Sequence, residues 1–235
     1  MTIFLALFIA ASVWEQGALD RPRLGMMLDG SGHVRPVFGI AGSVTLGDPE
    51  GRDMISIACN RAWCLSKTRT AIVSEGHETD APAGPALFAF ARDSAWVYFP
   101  LVRQLAQWKN GRLAFVPVTV TGEILSLRAL DGALQFAVRR SDGTWVVDAQ
   151  NQILDAIAAS SGPVLLLDDG VLYGSPAEIT LRWNDGSEIR FPLEGSKEFS
   201  ALGGGYVQVR SGRTSYVIRA VRGHERMFQL PEPGP

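Results

Sequence analysis

The chain has 235 residues, of which 46% are hydrophobic and 20% charged, and its formal net charge is −2. This composition excludes an intrinsically disordered chain. A net charge this close to zero indicates no general attraction to nucleic acid or to an anionic membrane surface, and we expect neither as a partner.

The N-terminus carries an apolar run, Ile3–Ala11. Its length fits the hydrophobic region of a signal peptide and is too short to span a bilayer. Ala10 and Ser12 supply the small residues that a cut after Ser12 needs, although no Lys or Arg precedes the run, which leaves a buried first strand as the alternative. We interpret residues 1–20 as a signal peptide and leader and residues 21–235 as one folded domain. The later sequence contains no apolar stretch long enough for a membrane span.

A hairpin is predicted next, with strands Leu24–Leu28 and His33–Ile40 around the turn Asp29-Gly30. A further short β-like run, Ala41–Leu46, follows it. The chain then enters a region in which apolar runs fold back across turns at a nearly even interval.

Markers for these turns lie 33 to 38 residues apart, at Asn60, Asp93, Asp131, Asp169 and Gly204. A second turn follows in the last four repeats, at Asn110-Gly111, Asp142-Gly143, Asp185-Gly186 and Gly223-His224. Turns of this kind between alternating apolar runs predict antiparallel strands, and the period indicates one supersecondary unit repeated five times. The predicted strands are Met54–Cys59, Ala62–Ser66, Thr70–Val73, Leu87–Ala91, Ala95–Phe99, Arg112–Val118, Ile124–Leu130, Leu134–Arg139, Thr144–Asp148, Val164–Leu167, Val171–Tyr173, Ile179–Trp183, Glu188–Leu193, Glu198–Leu202, Tyr206–Arg210, Thr214–Val221 and Arg226–Leu230.

Three segments depart from this pattern. Glu75–Pro85 is polar and rich in Pro and Gly, which predicts a loop. Gln152–Ser160 has apolar residues at helical spacing behind Asn151, a residue suited to capping a helix. Leu101–Trp108 fits either a strand or a helical turn.

Meanders of three or four strands at this period resemble the blades of a β-propeller, and the resemblance covers Met54 to Leu230. The Gly-His…Trp-Asp and kelch signatures are missing. Residues 35–40, Arg-Pro-Val-Phe-Gly-Ile, are similar to a segment of uncharacterised exported bacterial propeller-like proteins, a similarity that implies no activity. We predict an all-β fold with about five four-stranded blades, or six if Ala41–Leu46 starts another. An incomplete propeller or a β-sandwich is the alternative.

Propellers are often closed by N-terminal strands that complete the last blade and so cover its exposed edge. The hairpin between Leu24 and Phe38 is the candidate for this role. We therefore expect it to pair with the last repeat, near Tyr216–Val221 or Met227–Leu230.

The two cysteines face each other if the first hairpin turns at Arg61-Ala62. Directly opposed strand positions are about 4.5–5.5 Å apart, which is in the range of a disulfide. We predict a Cys59–Cys64 bridge, kept oxidised in an exported protein. The alternative is two buried, reduced cysteines.

Motifs for metal, cofactor or nucleophilic chemistry are missing from the sequence. His33, His77 and His224 have no partner at metal-ligand spacing, and no Gly-x-Ser-x-Gly, phosphate-loop or dinucleotide fingerprint occurs. We therefore predict no catalytic residue, no metal and no cofactor.

The repeat turns supply the candidate binding residues. If these turns emerge on one face, Asp93, Asp131 and Asp169 with Arg61 and Arg92 could together bind a polar ligand there. The alternative is that the acidic residues only cap local backbone groups, as Asp and Asn often do in turns.

The sequence thus favours a monomeric, non-enzymatic binding or interaction module that a bacterium secretes or keeps in its periplasm. Its partner would be a protein or a carbohydrate. The rival hypothesis is a hydrolase or lyase with a carboxylate or histidine site at the propeller centre. Paired inward-facing carboxylates would favour the enzyme, whereas a face ringed by Trp and Arg would favour the module.

Overall fold

The structure, a computed structural model, describes residues 22–40, 43–130, 132–157 and 161–231. These residues form 23 strands in six antiparallel sheets, arranged as the blades of a propeller, and each strand pairs with its neighbours in sequence. Within these ranges there is no helix that could cross a membrane.

Five blades have four strands and the N-terminal blade has three. Blade 1 consists of β1 (Arg23–Leu28), β2 (Val34–Ile40) and β3 (Ser43–Leu46); blade 2 of β4 (Ser56–Cys59), β5 (Cys64–Lys67), β6 (Ala71–Ser74) and β7 (His77–Asp80); blade 3 of β8 (Leu87–Phe90), β9 (Ala95–Phe99), β10 (Gln104–Lys109) and β11 (Arg112–Val116); blade 4 of β12 (Glu123–Leu130), β13 (Ala133–Arg140), β14 (Gly143–Asp148) and β15 (Ile153–Ile157); blade 5 of β16 (Val164–Leu167), β17 (Gly170–Gly174), β18 (Glu178–Trp183) and β19 (Glu188–Pro192); blade 6 of β20 (Glu198–Gly203), β21 (Tyr206–Ser211), β22 (Thr214–Arg219) and β23 (Arg226–Gln229).

The first strand of each of blades 2 to 6 lines a central channel. Serine hydroxyls join some of these strands, because the Ser56 Oγ accepts from the Ala86 N–H at 3.1 Å and the Ser126 Oγ from the Leu166 N–H at 3.0 Å. Strand β1 contacts both β20 and β4 and so lies between blade 6 and blade 2.

The core lies between the blades. Leu172, Leu181 and Val209, for example, are fully buried in the cluster that joins blades 5 and 6. Both faces of most blades are covered in this way, which explains why many strands are continuously apolar instead of alternating.

The all-β propeller fold is confirmed, with six blades instead of about five, and β3 of the additional blade lies within the Ala41–Leu46 run that had left six blades open. The N-terminal hairpin does not pair with blade 6, contrary to our expectation. Instead β3 pairs with β2, Val37 opposite Leu46, so that the hairpin becomes a blade of its own.

Blade 1 fills the gap in the ring by packing its two faces. Met27 and Val37 pack in one buried cluster with Leu202, Val217 and Leu230 of the blade 6 region. On the other side Met26 and Val34 pack with Ile57 and Cys59 of blade 2. The Gln208 side chain also donates to the Leu28 carbonyl at 2.9 Å and accepts from the Leu28 N–H at 3.2 Å. Among the described residues, closure therefore uses side-chain packing and the hydrogen bonds of Gln208, and not strand pairing between blades 1 and 6.

Two further predictions were wrong, and both concern outer strands. The segment predicted as a helix contains β15, which pairs with β14, while residues 158–160 lie outside the described residues. The segment predicted as a loop contains β7, which follows a tight turn in which Glu75 and Gly76 have φ values of 50° and 78°. The ambiguous stretch Leu101–Trp108 is a turn followed by β10.

Candidate functional site

The turns that follow the first strands of the blades emerge at one end of the central channel. They surround a cavity of about 630 Å³, which we call the channel mouth. Turn residues of blades 2, 5 and 6 line the channel mouth, and blade 3 contributes Ala91 at the start of its turn. The channel mouth is lined mainly by residues 59–62, 88–91, 127–129, 165–169, 203–207 and 220–222, together with Trp183 and Ala201.

Apolar side chains form the base of the channel mouth and separate it from the rest of the channel. A smaller cavity of about 200 Å³ occupies the other end of the channel. Phe88, Leu127, Leu165 and Ala201 line both cavities and form the waist between them. The channel mouth therefore offers an apolar base below a polar rim.

Two of the predicted site residues meet at the channel mouth. Arg61 and Asp169 both line it. Arg92 and Asp93 are exposed at the tip of the blade 3 turn, beyond the lining, and Asp131 lies outside the described residues. Arg61 is exposed and has no hydrogen bond or ion pair within the part of the chain that the structure describes.

Arg128 is a lining residue that sequence reasoning missed. It projects from β12 of blade 4, and its Nη1 donates to the carbonyls of Leu167 at 2.5 Å and Gly170 at 3.3 Å, across the boundary to blade 5. Its Nε donates to Gln135 Oε1 at 2.8 Å. Burial lowers the pKa of the Arg128 guanidinium, although the nearby Asp168 favours its charged form. Arg128 thus holds the turn that carries Asp168 and Asp169.

A second missed group forms the rim beside blade 6. The Trp183 Nε1 donates to Glu225 Oε1 at 3.0 Å, and the Arg222 guanidinium lies 5.9 Å from the centre of the Trp183 ring. Arg222 also forms an ion pair with Asp185. Hydrogen bonds from Ser187, with Arg222 as a further contribution, lower the pKa of Asp185 to about 2.

A third cavity, of about 620 Å³, opens between blades 1 and 2, and we call it the seam cleft. Its lining is mixed, with charged residues such as Arg23, Glu50 and Glu75 beside apolar ones. Among its lining residues are Met26, Met54, Ile57, Trp63 and Val73.

The disulfide lies between the channel mouth and the seam cleft. Cys59 and Cys64 are directly opposed across the β4–β5 hairpin and joined in the structure, with Cys59 lining the channel mouth and Cys64 the seam cleft. Its oxidation in the native protein stays a prediction.

The histidines lie away from the channel mouth. His33 follows the β1–β2 turn, His77 is on β7 and His224 is in the β22–β23 turn. In the described ranges no three His, Cys, Asp or Glu residues gather in an arrangement that could hold a metal ion.

No protein-family model matches the sequence, and no curated protein sequence matches it significantly. Among solved structures, the chain is similar to a streptogramin B lyase, with a TM-score of 0.51 and 10% identity over 91% of this chain and 85% of that one. It is also similar to catalytically inactive virginiamycin B lyase from Staphylococcus aureus with quinupristin, with a TM-score of 0.50 and 10% identity over 90% and 84% of the two chains.

A third similar structure is PorZ, a surface component of the type-IX secretion system of Porphyromonas gingivalis. The TM-score is 0.49 and the identity 13%, over 89% of this chain but only 31% of that one. At such low identity the similarities to the two lyase structures show the fold alone. Together with the six sheets, these two similarities define a β-propeller-like repeat protein without the signatures of the common propeller families.

Proposed function

We propose that the chain is an exported, non-enzymatic binding module whose ligand site is the channel mouth. The observation that carries the proposal is the rim, where Arg61, Arg128 and Arg222 come together with Trp183 and Tyr206 around an apolar floor. Broad propeller faces of this kind suit the binding of other macromolecules.

The charge of the rim indicates the chemistry of the ligand. Arg128 and Arg222 already have acceptors, whereas Arg61 has none among the described residues. A guanidinium binds carboxylates well, often through two parallel hydrogen bonds. Asp168 and Asp169 also line the channel mouth, on the blade 5 side. An acidic side chain of a partner protein is therefore favoured at Arg61, on the blade 2 side, and a neutral sugar offers no such group.

A hydrolase or lyase is the second candidate. The observation in its favour is the placement of Asp168 and Asp169, two exposed carboxylates on the turn that Arg128 holds. A carboxylate can act as a general base that takes a proton from a water molecule or from a hydroxyl group of a bound ligand. Mass spectrometry of a ligand recovered after binding separates the two candidates, because a module returns it intact and an enzyme returns product.

Binding itself is tested with Arg61→Glu. We expect the purified chain to enrich acidic peptides from a random library displayed on phage. The Arg61→Glu variant should bind these peptides at least about tenfold more weakly. Arg213→Glu is the matched control, because Arg213 is an exposed arginine in the β21–β22 turn and does not line the channel mouth. Equal losses in the two variants would show that only net charge matters and would contradict the proposal.

Export has its own test. The intact mass of the protein from its native host should correspond to a chain that starts at or soon after Val13. Peptide mapping of the same sample without reduction should find Cys59 linked to Cys64. Recovery of the full-length chain from the cytoplasm would contradict export.

A further inference from the structure

We propose that the ligand is an extended polypeptide that runs from the channel mouth into the seam cleft, where it buries an apolar side chain. This inference rests on the proposed function and assigns a second subsite to it. The two cavities are large enough for such a ligand, since each has a volume of about 620–630 Å³ and binding sites usually measure about 300–1,000 Å³.

The channel mouth and the seam cleft are continuous. Asn60, Arg61 and Ala62 at the tip of the β4–β5 hairpin line both cavities, and so do Gly203, Gly204 and Tyr206 of blade 6. A ligand that leaves the channel mouth across the top of these two touching turns therefore enters the seam cleft directly. We call this connection the saddle.

Three successive glycines, Gly203 to Gly205, leave the blade 6 side of the saddle without side chains at these positions. A Cβ atom at Gly203 would lie 2.2 Å from the Asn60 carbonyl oxygen, so that position excludes any side chain. Gly204 and Gly205 have φ values of 60° and 80°, which favour glycine. At Gly203 and Gly204 the saddle is therefore lined by backbone without a side chain, next to Tyr206.

The seam cleft has an apolar wall among its polar residues. Met54 and Val73 lie on this wall and are partly exposed, and behind them Met26 and Ile57 belong to the buried cluster between blades 1 and 2. The thioether of a methionine adapts its shape to a hydrophobic ligand. The ring of Trp63 is already engaged by Phe90 and Trp108, with ring centres 4.8 and 5.2 Å away. It therefore does not offer the open aromatic face on which a sugar would stack, which favours a polypeptide.

The charges indicate where an acidic side chain of the ligand lies. Glu75 lines the seam cleft and disfavours an acidic side chain inside it. At the edge of the seam cleft Arg23 is paired with Glu50 at 3.3 Å. Arg61 stands at the saddle and has no acceptor in the described ranges. An acidic side chain at the saddle, followed by an apolar side chain in the seam cleft, satisfies both features.

The test uses peptides selected from the random phage library and then synthesised with a fluorescein label. Val73→Trp fills the seam cleft, and Ala62→Trp obstructs the saddle from an exposed position that does not disturb the core. Ile153→Trp is the control, since Ile153 is exposed on β15, outside both cavities. Thermal unfolding establishes that all three variants are folded.

We expect selected peptides to share an acidic and an apolar residue at a fixed spacing. Val73→Trp and Ala62→Trp should each weaken binding about tenfold or more, with Ile153→Trp unchanged. Replacing the apolar peptide residue by alanine should weaken binding to the natural chain but not further to Val73→Trp, because the contact is then already lost.

Three outcomes overturn the inference. Peptides that depend on Arg61 but bind Val73→Trp and Ala62→Trp normally would leave the proposed function standing without the second subsite. Binding of sulfated oligosaccharides on a microarray, without peptide enrichment, would replace the polypeptide by a carbohydrate at the same channel mouth. Failure of both probes to bind would contradict the proposed function as well.

Discussion

At the scale of single residues, two of the three lysines of the chain are buried and serve as clamps for turns. The Lys67 Nζ donates to the carbonyls of Thr68 and Arg69 at 2.8 and 3.1 Å. The Lys197 Nζ donates to Ser175, Pro176 and Gly195 at 2.6, 3.1 and 2.7 Å. Burial lowers the pKa of both ammonium groups. A buried cation is tolerated when its donors are satisfied, and here backbone carbonyls do this.

Lys197→Met should therefore destabilise the protein. The substitution keeps the length of the side chain but leaves three carbonyls without their donor, and we expect a loss of about 2–4 kcal/mol in the free energy of unfolding. Lys109→Met is the control because Lys109 is exposed, and it should change stability little. Urea denaturation of the two variants checks this. Equal losses would mean that the Lys197 clamp contributes nothing specific.

Asp29 gives stability a defined pH dependence. Its carboxylate is only 3% exposed. Burial by itself raises the pKa of Asp29, but the hydrogen bonds from Arg35 at 2.9 Å and from the His33 and Ser31 N–H groups at 2.9 and 2.8 Å outweigh it, and the net effect lowers the pKa below 3.8. The folded state thus favours the charged form. Its contribution is complete above pH 3.8 and is lost as the pH falls through the lower pKa of the folded state.

We expect Asp29→Asn to cost about 2–3 kcal/mol near neutral pH, because Arg35 loses a charged partner. The difference from the natural chain should shrink as the pH falls below 3.8. Urea denaturation at a series of pH values measures it. A difference that stays constant down to the acid transition would contradict the role of the charge.

At the scale of elements, the end of β20 depends on the lack of a side chain. Gly203→Ala would place a Cβ 2.2 Å from the Asn60 carbonyl oxygen at a φ of 95°. We expect a loss of about 3 kcal/mol or more. Gly212→Ala has a similar backbone requirement, with a φ of 60°, but no atom within 4 Å of the added carbon. Gly212→Ala therefore measures only the loss of stability caused by a left-handed backbone conformation in a residue with a side chain, about 1 kcal/mol. Thermal unfolding of both variants measures the two losses of stability. Equal losses would show that the contact of the added Cβ with the Asn60 carbonyl oxygen does not matter.

The sequence predicted most strands, including the outer strands β11, β19 and β23, but it missed the outer strands β7 and β15. Glu198–Leu202 was predicted and β20 is Glu198–Gly203, because a turn rich in glycine marks its end. Strand β15 was missed because Ile153 and Leu154 are exposed on an outer edge, where neither face imposes alternation. Strands of this kind are defined by their pairing with a neighbour and not by their own pattern.

Residues of the candidate site could be predicted from the sequence only where they belong to the turns that mark the repeats. Arg61 and Asp169 lie in repeat turns and were found. Arg128 was missed because it lies within an apolar strand, and Arg222 because it lies in the β22–β23 turn and not in the turn after the first strand of its blade. Arg128 and Arg222 both line the channel mouth only because the blades are arranged in a ring, which the local sequence does not show.

At the scale of the whole molecule, blade 1 completes the ring by covering two apolar faces. Removing residues 1–46 deletes β1–β3 and exposes Ile57 of blade 2 and Leu202 of blade 6, both now buried. We expect a protein that is insoluble or lacks cooperative unfolding. A chain without residues 1–20 keeps all three strands and should unfold cooperatively. Near-ultraviolet circular dichroism and urea titration distinguish the two, and a cooperatively folded monomer without residues 1–46 would show that blade 1 is dispensable.

The central claim is that ligands bind at the channel mouth, and amide hydrogen exchange with a bound peptide from the phage selection tests it most directly. We predict slower exchange on binding in residues 59–64, 165–170 and 203–207, which line this end of the channel or directly adjoin it. Arg61→Glu should abolish this protection at the same peptide concentration. Protection confined to the other end of the channel, around Ser56 and Glu198, or to outer strands such as β11 and β15, would contradict the account.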